Sequence, residues 1–247
     1  RNLLPPARRW ACSPLAWWTC FARRLVSPRR IYWNAPDTTS MFQSAGMLAL
    51  DGRCKTLDAA ASGYVRGEAC VSLLVWSSSS SLGGMDGFAA LRATSVNQDG
   101  RSSSLTAPNG PSQQEAVRSA LRLAGLPPQE LDMVQMHGTG TSLGDPIEVG
   151  ALSAVVLGAS CTSARSPLVL TAGKSGTGHT EPAAGLLGVS KALLGLSQAD
   201  CLPILHLRLV NPHVSSALSM AEKHGGGLGT SCLMPREGSS LPLGPAS

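Results

Sequence analysis

Two parts of this chain repeat one plan: a short apolar run, a glycine-rich loop that carries a histidine, and a helical pattern. The first runs from an apolar stretch at 131–136 into the loop HGTGT, which begins with His137. The second runs from 167–171 into the loop KSGTGHTE, whose histidine is His179. Strands that alternate with helices predict an α/β layered fold with a mainly parallel or mixed sheet. Because ligands bind at the carboxyl ends of such strands, we expect both histidines to line one site.

The residues around these histidines indicate acyl or carbonyl chemistry. Neutral imidazoles at strand ends, facing helix N-termini, suit reactions in which negative charge develops on a carbonyl oxygen. Thr139 and Thr141 add hydroxyls that can bond an amide-rich chain. Lys174 can fix the protonation state of a carboxylate such as Glu181, or orient His179. Each feature also has a structural interpretation: a capping or core histidine, a simple GTGT turn, and a solvated surface lysine.

Other site classes fit the sequence less well. A zinc site from the two histidines and Asp145 would lack a close-spaced ligand pair, so we predict no metal. The loops contain neither a G-x-G-x-x-G nor a Walker pattern, which argues against nucleotide binding. The chain has a net charge of +5, but residues 1–36 hold seven arginines and no acid, so the remainder has 13 basic and 15 acidic residues. The basicity is therefore local, and nucleic acid is not an expected partner.

Cysteine content and hydropathy place the chain in a broad class. The seven cysteines form no C-x-x-C pair, which predicts reduced thiols in an intracellular protein rather than a disulfide framework. No stretch of about 18 apolar residues appears, so we expect no membrane span. The chain begins with an arginine rather than methionine, and we expect it to be a fragment.

Composition divides the chain into three parts. Residues 1–36 are an arginine- and tryptophan-rich arm without a strand or helix period, residues 37–213 a folded body, and residues 214–247 a glycine-, serine- and proline-rich tail expected to be disordered. The arm is typical of a transit peptide, of a membrane-surface segment, or of sequence foreign to the fold. The expected location is accordingly the cytoplasm or a plastid.

Capping patterns predict where helices begin and end. Ser112 and Glu115 form a capping box for a helix that Gly125 terminates, and Asp145 with Glu148 forms a second box. A third helix is predicted over 181–196, with one buried face formed by Leu186, Val189, Leu193 and Leu196. Buried or regular strands are predicted at 70–75 and 88–96.

Five stretches, in order, resemble the β-ketoacyl synthases, especially the ketosynthase domains of modular polyketide synthases. The segment 134–152 resembles the family's first histidine motif, and 174–181 resembles its second, KSNIGHTE, from which Gly176 and Thr177 depart. The other similar stretches are 45–68, 96–114 and 211–213. The resemblance covers roughly residues 36–213.

This resemblance implies an incomplete thiolase-like αβαβα fold, mostly its C-terminal half, and an acyltransferase that performs decarboxylative Claisen condensation. In the family, a cysteine carries the acyl chain as a thioester. Two histidines, here His137 and His179, bind the thioester carbonyl of a malonyl-type extender held on the phosphopantetheine of an acyl carrier protein. The implied partners are that carrier, other synthase domains and a second copy of the domain. No bound cofactor is implied.

The resemblance also assigns supporting roles. Lys174 matches the lysine that supports the second histidine, and Glu181 matches the partner of that lysine. Thr139 and Thr141 match the threonines that bond the phosphopantetheine arm.

Two departures concern the condensation step. Cys12 stands in an Ala-Cys-Ser context like that of the family's nucleophile, but it is too close to Ala45 and lacks the family's flanks, so the nucleophile stays unknown. Residues 214–247 hold no Gly-Phe-Gly-Gly loop, which supplies one oxyanion donor in the family. Losing one such donor costs on the order of a hundredfold or more in rate. We therefore expect the chain alone not to condense, and two alternatives stay open: a malonyl-carrier decarboxylase and a non-catalytic ketosynthase-like partner protein.

Overall fold

The protein's computed structural model describes residues 10–12, 36–75, 87–102, 107–157, 167–198, 200–224, 232–236 and 241–242. Its strands are β1 (Trp10–Cys12), β2 (Met133–Met136), β3 (Leu168–Ala172), β4 (Asp200–Cys201), β5 (Cys232–Leu233) and β6 (Leu241–Pro242). The main sheet has the order β1-β2-β3-β5 with every pair parallel, and β4 pairs antiparallel with β6.

Helices alternate with these strands. The α-helices are α1 (Pro36–Ser44), α2 (Gly110–Ala124), α3 (Gly144–Leu152), α4 (Lys174–Thr177), α5 (Ala184–Gln198) and α6 (Pro212–His224). A π-helical segment, Ser153–Leu157, continues α3, and 3₁₀ turns occupy Pro128–Glu130 and Glu181–Ala183. The alternation confirms the predicted α/β class. In the described residues, none of the helices combines the length and apolar character that crossing a bilayer requires.

The sheet is covered on both faces. Every residue of β2 and β3 is buried, as expected for central parallel strands. On one face Val134 and Leu170 join the main hydrophobic cluster with side chains of α2, α3 and α6. On the other, Met133 and Val169 pack with Cys201. The carboxyl ends of two fully buried strands thus hold the histidine loops firmly.

The helix ends were predicted in part. Gly125 terminates α2 in the left-handed conformation with φ of 63°, as expected. The helix begins earlier than the predicted capping box, because the side chain of Asn109 accepts a hydrogen bond from the backbone N–H of Ser112. The second box is wrong as well: the N-cap of α3 is Leu143, which makes no side-chain cap.

Two predicted strands do not form. Residues 70–75 and 88–96 have no strand structure, and Leu74 and Phe88 are 73% and 67% exposed. A strand needs a hydrogen-bonded neighbour, and within the described residues neither segment lies in a ladder. An apolar run alone is therefore not enough to predict a strand.

Helix α5 forms where expected, but its buried face differs. The four predicted large residues are only half-buried, whereas Ala192 and Gly195 are buried. A Cβ built on Gly188 would lie 3.6 Å from Cγ of Gln135 in β2. Small residues thus allow α5 to approach the sheet closely.

Both ends of the chain contain more structure than expected. The N-terminal arm supplies β1, which pairs with β2. The expected disordered tail is wrong over 214–224, because α6 extends to His224 and its Val214 is fully buried. Val214, Ala217 and Leu218 have helical i, i+3, i+4 spacing and pack into the main core. That spacing, within a segment rich in serine, is the signal the composition concealed.

Candidate active site

The two histidine rings meet. Their centroids lie 5.3 Å apart with the ring planes at 86°. His137 directly follows β2, and His179 follows β3 and the short helix α4. The expectation that both loops converge at the strand ends is confirmed. Their catalytic roles stay predictions.

His179 is held by backbone contacts on both sides. Its N–H donates to the carbonyl of Val65 at 2.7 Å, and its own carbonyl accepts from the N–H of Gly67 at 3.0 Å. The ring of Tyr64 packs edge-on against the imidazole with centroids 5.1 Å apart. The N–H of Glu181 donates to Nδ1 at 3.1 Å. A neutral imidazole that accepts at Nδ1 carries its proton at Nε2.

The charge state of His179 follows from its surroundings. Burial lowers its pKa to about 3, and the positive charges of Lys174 and Arg66 act in the same direction. The ring is therefore neutral at physiological pH. It presents one N–H donor at Nε2.

His137 receives the same tautomer from a different donor. The Nζ of Lys174 donates to the carbonyl of His137 at 2.6 Å and lies 3.3 Å from Nδ1 of its ring. Because an ammonium only donates, Nδ1 must accept and Nε2 carries the proton. Burial holds the pKa of His137 well below its usual range, with smaller contributions from Lys174 and His179.

Lys174 is the buried cation of the site, and its partner differs from the one the resemblance implied. It was expected to support His179 with Glu181 as its partner. Instead it contacts His137, and the carboxylate of Glu181 binds Arg66. Burial lowers the pKa of Lys174 to about 8. The resemblance implied that Lys174 supports His179, whereas its contacts in the structure are with His137.

Two buried carboxylates that were interpreted as helix caps instead hold the first histidine loop. Glu148 accepts from the N–H groups of His137 at 2.7 Å and Gly138 at 2.9 Å. Asp145 accepts from Gly140 at 3.1 Å and from Leu57 at 2.8 Å. A glycine-rich loop has many N–H donors that need acceptors. Carboxylates one helical turn beyond such a loop are the signal that was missed.

Burial shifts the titration of one of these carboxyls. It raises the pKa of Asp145 to about 7, and the neighbouring charge of Glu148 acts in the same direction. Both carboxylates also favour the charged form of Lys174. Burial lowers the pKa of Lys174, and the two acids on α3 partly offset this shift.

The two threonines predicted to bind the pantetheine arm lie side by side, and Gly140 between them cannot be replaced by a larger residue without strain. The Oγ1 atoms of Thr139 and Thr141 are 3.4 Å apart, and the Thr141 hydroxyl accepts from the N–H of Gly144 at 3.1 Å. Between them Gly140 has φ of +80°, and a Cβ there would lie 2.8 Å from the backbone nitrogen of Lys55. The loop backbone is therefore packed against the backbone of residues 54 and 55.

The thiol nucleophile is not assigned. The backbone of Cys12 lies opposite Gln135 in the β1–β2 register, and its side chain lies outside the described residues. Of the cysteine side chains that the structure describes, Cys54 and Cys201 are buried. Over the same residues, no three His, Cys, Asp or Glu side chains cluster as a metal site would require.

Together these contacts define what the site can do. Two neutral imidazoles, each fixed at Nδ1 by a donor, carry their protons at Nε2. Such a pair can hold a carbonyl and stabilise negative charge that develops on it.

Comparisons with known proteins identify the family of the chain. The model of the β-ketoacyl synthase C-terminal domain matches residues 88–208, and that of the N-terminal domain matches 34–81. The erythronolide synthase EryA2 of Saccharopolyspora erythraea is 41% identical over 72% of this chain and 5% of its own length. The spectinabilin polyketide synthase system protein NorA' of Streptomyces orinoci is 46% identical over 72% of this chain and 5% of its own. The chain therefore spans only a small part of the length of these relatives.

Solved structures give the same result. The ketosynthase domain OzmH KS7 of oxazolomycin biosynthesis from Streptomyces albus JA3453 has a TM-score of 0.69 at 29% identity, covering 85% of this chain and 34% of that domain. The ketosynthase from module 6 of the Bacillus subtilis 168 bacillaene synthase has a TM-score of 0.69 at 28% identity, covering 86% and 36%. The neighbours are ketosynthases with the thiolase-like fold, of which this chain has an incomplete part. The chain belongs to the β-ketoacyl synthase family.

Proposed function

We propose that this chain performs the decarboxylating half of ketosynthase chemistry on a malonyl-type thioester carried by an acyl carrier protein. The observation that supports this most directly is the pair of neutral imidazoles 5.3 Å apart. Their Nδ1 atoms are fixed by Lys174 and by the N–H of Glu181. The two Nε2–H groups bind the thioester oxygen.

The proposed reaction develops negative charge on the thioester oxygen. The bond between the α-carbon and the carboxylate breaks, carbon dioxide leaves, and the electron pair moves onto the thioester oxygen as an enolate. The Nε2–H groups of His137 and His179 stabilise that oxygen without transferring a proton. In condensation, the enolate carbon attacks an acyl thioester and expels its thiolate. In simple decarboxylation, the same carbon takes a proton from water and yields an acetyl thioester.

The substrate reaches the site on the phosphopantetheine arm of the carrier. Thr139 and Thr141 bond the amide groups of that arm, and their adjacent hydroxyls support this role. The partners are an acyl carrier protein, other synthase domains and a second copy of the family's domain. We place this work inside the cell, in the cytoplasm or a plastid.

Carbon dioxide release from malonyl-loaded carrier protein tests this function. We expect the chain to release carbon dioxide and to convert malonyl-carrier to acetyl-carrier, as followed by mass spectrometry of the carrier. His137→Ala and His179→Ala each lower the rate by about a hundredfold, because each removes a donor to the enolate oxygen. His213→Ala is the matched control, since His213 is exposed at the start of α6.

The same experiment separates the alternatives. A β-ketoacyl product formed after an acyl donor is added indicates full condensation and a nucleophile still to be identified. Absence of carbon dioxide from the parent, with carrier binding unchanged in His137→Ala and His179→Ala, contradicts the proposal. That outcome indicates a non-catalytic protein that binds the carrier.

A further inference from the structure

An ion pair formed by two distant parts of the chain lies directly behind His179. Arg66 and Glu181 form two parallel contacts, Nε to Oε1 at 2.7 Å and Nη2 to Oε2 at 2.9 Å. Their side chains are only 6% and 22% exposed. A bidentate, mostly buried pair of this kind fixes orientation as well as distance.

The backbone of Glu181 is in a conformation that needs an anchor. Its φ is +49°, in the left-handed region that non-glycine residues rarely adopt. Such a conformation is strained and persists where the surroundings enforce it. In this conformation its N–H points at Nδ1 of His179 at 3.1 Å. The same residue thus carries the strain and the hydrogen bond that selects the tautomer.

We propose that Arg66 is a positioning residue: by gripping the Glu181 carboxylate it keeps the Glu181 N–H on Nδ1 of His179, so that His179 presents Nε2–H. The inference rests on the proposed function for its effect on turnover, but not for its effect on the tautomer. Arg66 touches no reacting atom in this scheme, and it sets the tautomer of His179 through Glu181.

The side chain of Arg66 can be separated from its backbone. The backbone contacts that hold His179 come from Val65 and Gly67, and they do not require the guanidinium. The guanidinium also donates to the hydroxyls of Thr38 and Thr39 in α1. A purely structural role would therefore consist in attaching α1, with no effect on the imidazole.

The tautomer of His179 distinguishes these roles. Two-bond ¹H–¹⁵N correlation spectra of the full chain report which ring nitrogen carries the proton, with His179→Gln used to assign the signals. We expect Nε2–H alone in the parent and a mixture of both tautomers in Arg66→Gln. In Arg66→Gln the kcat for decarboxylation falls at least tenfold, whereas KM changes less than twofold, because a wrong tautomer offers no donor to the enolate.

Two further variants sharpen the result. Glu181→Gln placed in the Arg66→Gln background restores an uncharged amide pair, and we expect it to recover most of the Nε2–H tautomer. Arg122→Gln is the matched control, because Arg122 pairs with Glu115 at 3.7 Å on an exposed surface. It leaves both tautomer and kcat unchanged.

Each outcome decides the proposal. An unaltered Nε2–H tautomer in Arg66→Gln, even with reduced thermal stability, overturns it and leaves Arg66 as an attachment for α1. If Arg66→Gln does not fold, Arg66→Lys is measured in its place, since it keeps the charge but loses the bidentate fork. A tautomer mixture in Arg66→Gln with no carbon dioxide release by the parent supports the positioning role and contradicts the proposed function.

Discussion

Replacing Glu148 with glutamine should weaken the protein far more than its single-atom change suggests. Glu148 is 2% exposed and accepts two backbone hydrogen bonds, from His137 at 2.7 Å and from Gly138 at 2.9 Å. Glutamine keeps one carbonyl oxygen and turns an NH₂ group toward the second N–H. One buried donor then loses its acceptor.

The expected cost follows from these two bonds. A hydrogen bond to a charged group contributes about 1.5–3 kcal/mol, and leaving a buried donor without a partner costs about 1–3 kcal/mol. The lost hydrogen bond and the unpaired donor describe partly the same loss, so the two costs do not simply add. We therefore expect Glu148→Gln to lower the free energy of unfolding by about 2–4 kcal/mol. Typical domains unfold with only about 5–15 kcal/mol, so the variant remains folded but is clearly destabilised.

Urea denaturation followed by circular dichroism measures this change. With an m-value of about 2 kcal/mol per molar urea, the midpoint should fall by about 1–2 M. Glu115→Gln is the matched control: its ion pair with Arg122 is exposed and 3.7 Å long, so it should change the free energy of unfolding by less than about 0.5 kcal/mol. If both variants unfold at the same urea concentration as the parent, the two backbone hydrogen bonds to Glu148 do not stabilise the protein as argued.

Two more predictions follow from the second histidine loop. Gly178→Ala should destabilise the protein by about 1–3 kcal/mol in urea titrations, because Gly178 has φ of +70° and a Cβ would lie 3.2 Å from the carbonyl of Arg66. Gly176→Ala is the control: its Cβ would lie 3.5 Å from Leu205, and it should stabilise the protein by about 0.5–1 kcal/mol. Equal effects of the two substitutions would contradict this geometry. The folded pKa of His179 is about 3, below its unfolded value of 6.5, so its contribution to stability is complete above pH 6.5 and is lost as pH falls toward 3. Comparing free energies of unfolding at pH 7 and pH 4, the parent should lose about 3 kcal/mol more than His179→Gln, and parallel losses would refute the neutral ring.

Local patterns in the sequence predicted the parts of the fold that depend on neighbours in the chain. The strands at 133–136 and 168–172 and the termination of α2 at Gly125 needed only apolar runs and a glycine signal. The predicted strands at 70–75 and 88–96 failed because pairing depends on a neighbour that no local pattern specifies. The buried face of α5 failed because Ala192 and Gly195 pack closely where the larger residues were expected.

The features of the site were likewise predictable only where they depend on local patterns or on simple topology. That His137 and His179 would meet followed from strand ends in a parallel sheet, which is a rule of topology. Which group would hold each ring did not follow, because the contacts cross long stretches of chain. Arg66 reaches Glu181 over 115 positions, and Asp145 reaches Leu57 over 88. Only the folded geometry pairs such residues.

The charged groups of the site influence one another: Glu148 acts on Lys174, and Lys174 acts on both histidines. Burial is the main reason that the pKa of both histidines is low, and the positive charge of Lys174 lowers it further. Glu148 in turn favours the ammonium form of Lys174, whose pKa is about 8. Removing the carboxylate therefore both loosens the His137 loop and lowers the pKa of Lys174 toward neutrality. A substitution on α3 thus reaches the imidazoles by two physical routes, one through backbone hydrogen bonds and one through the buried cation.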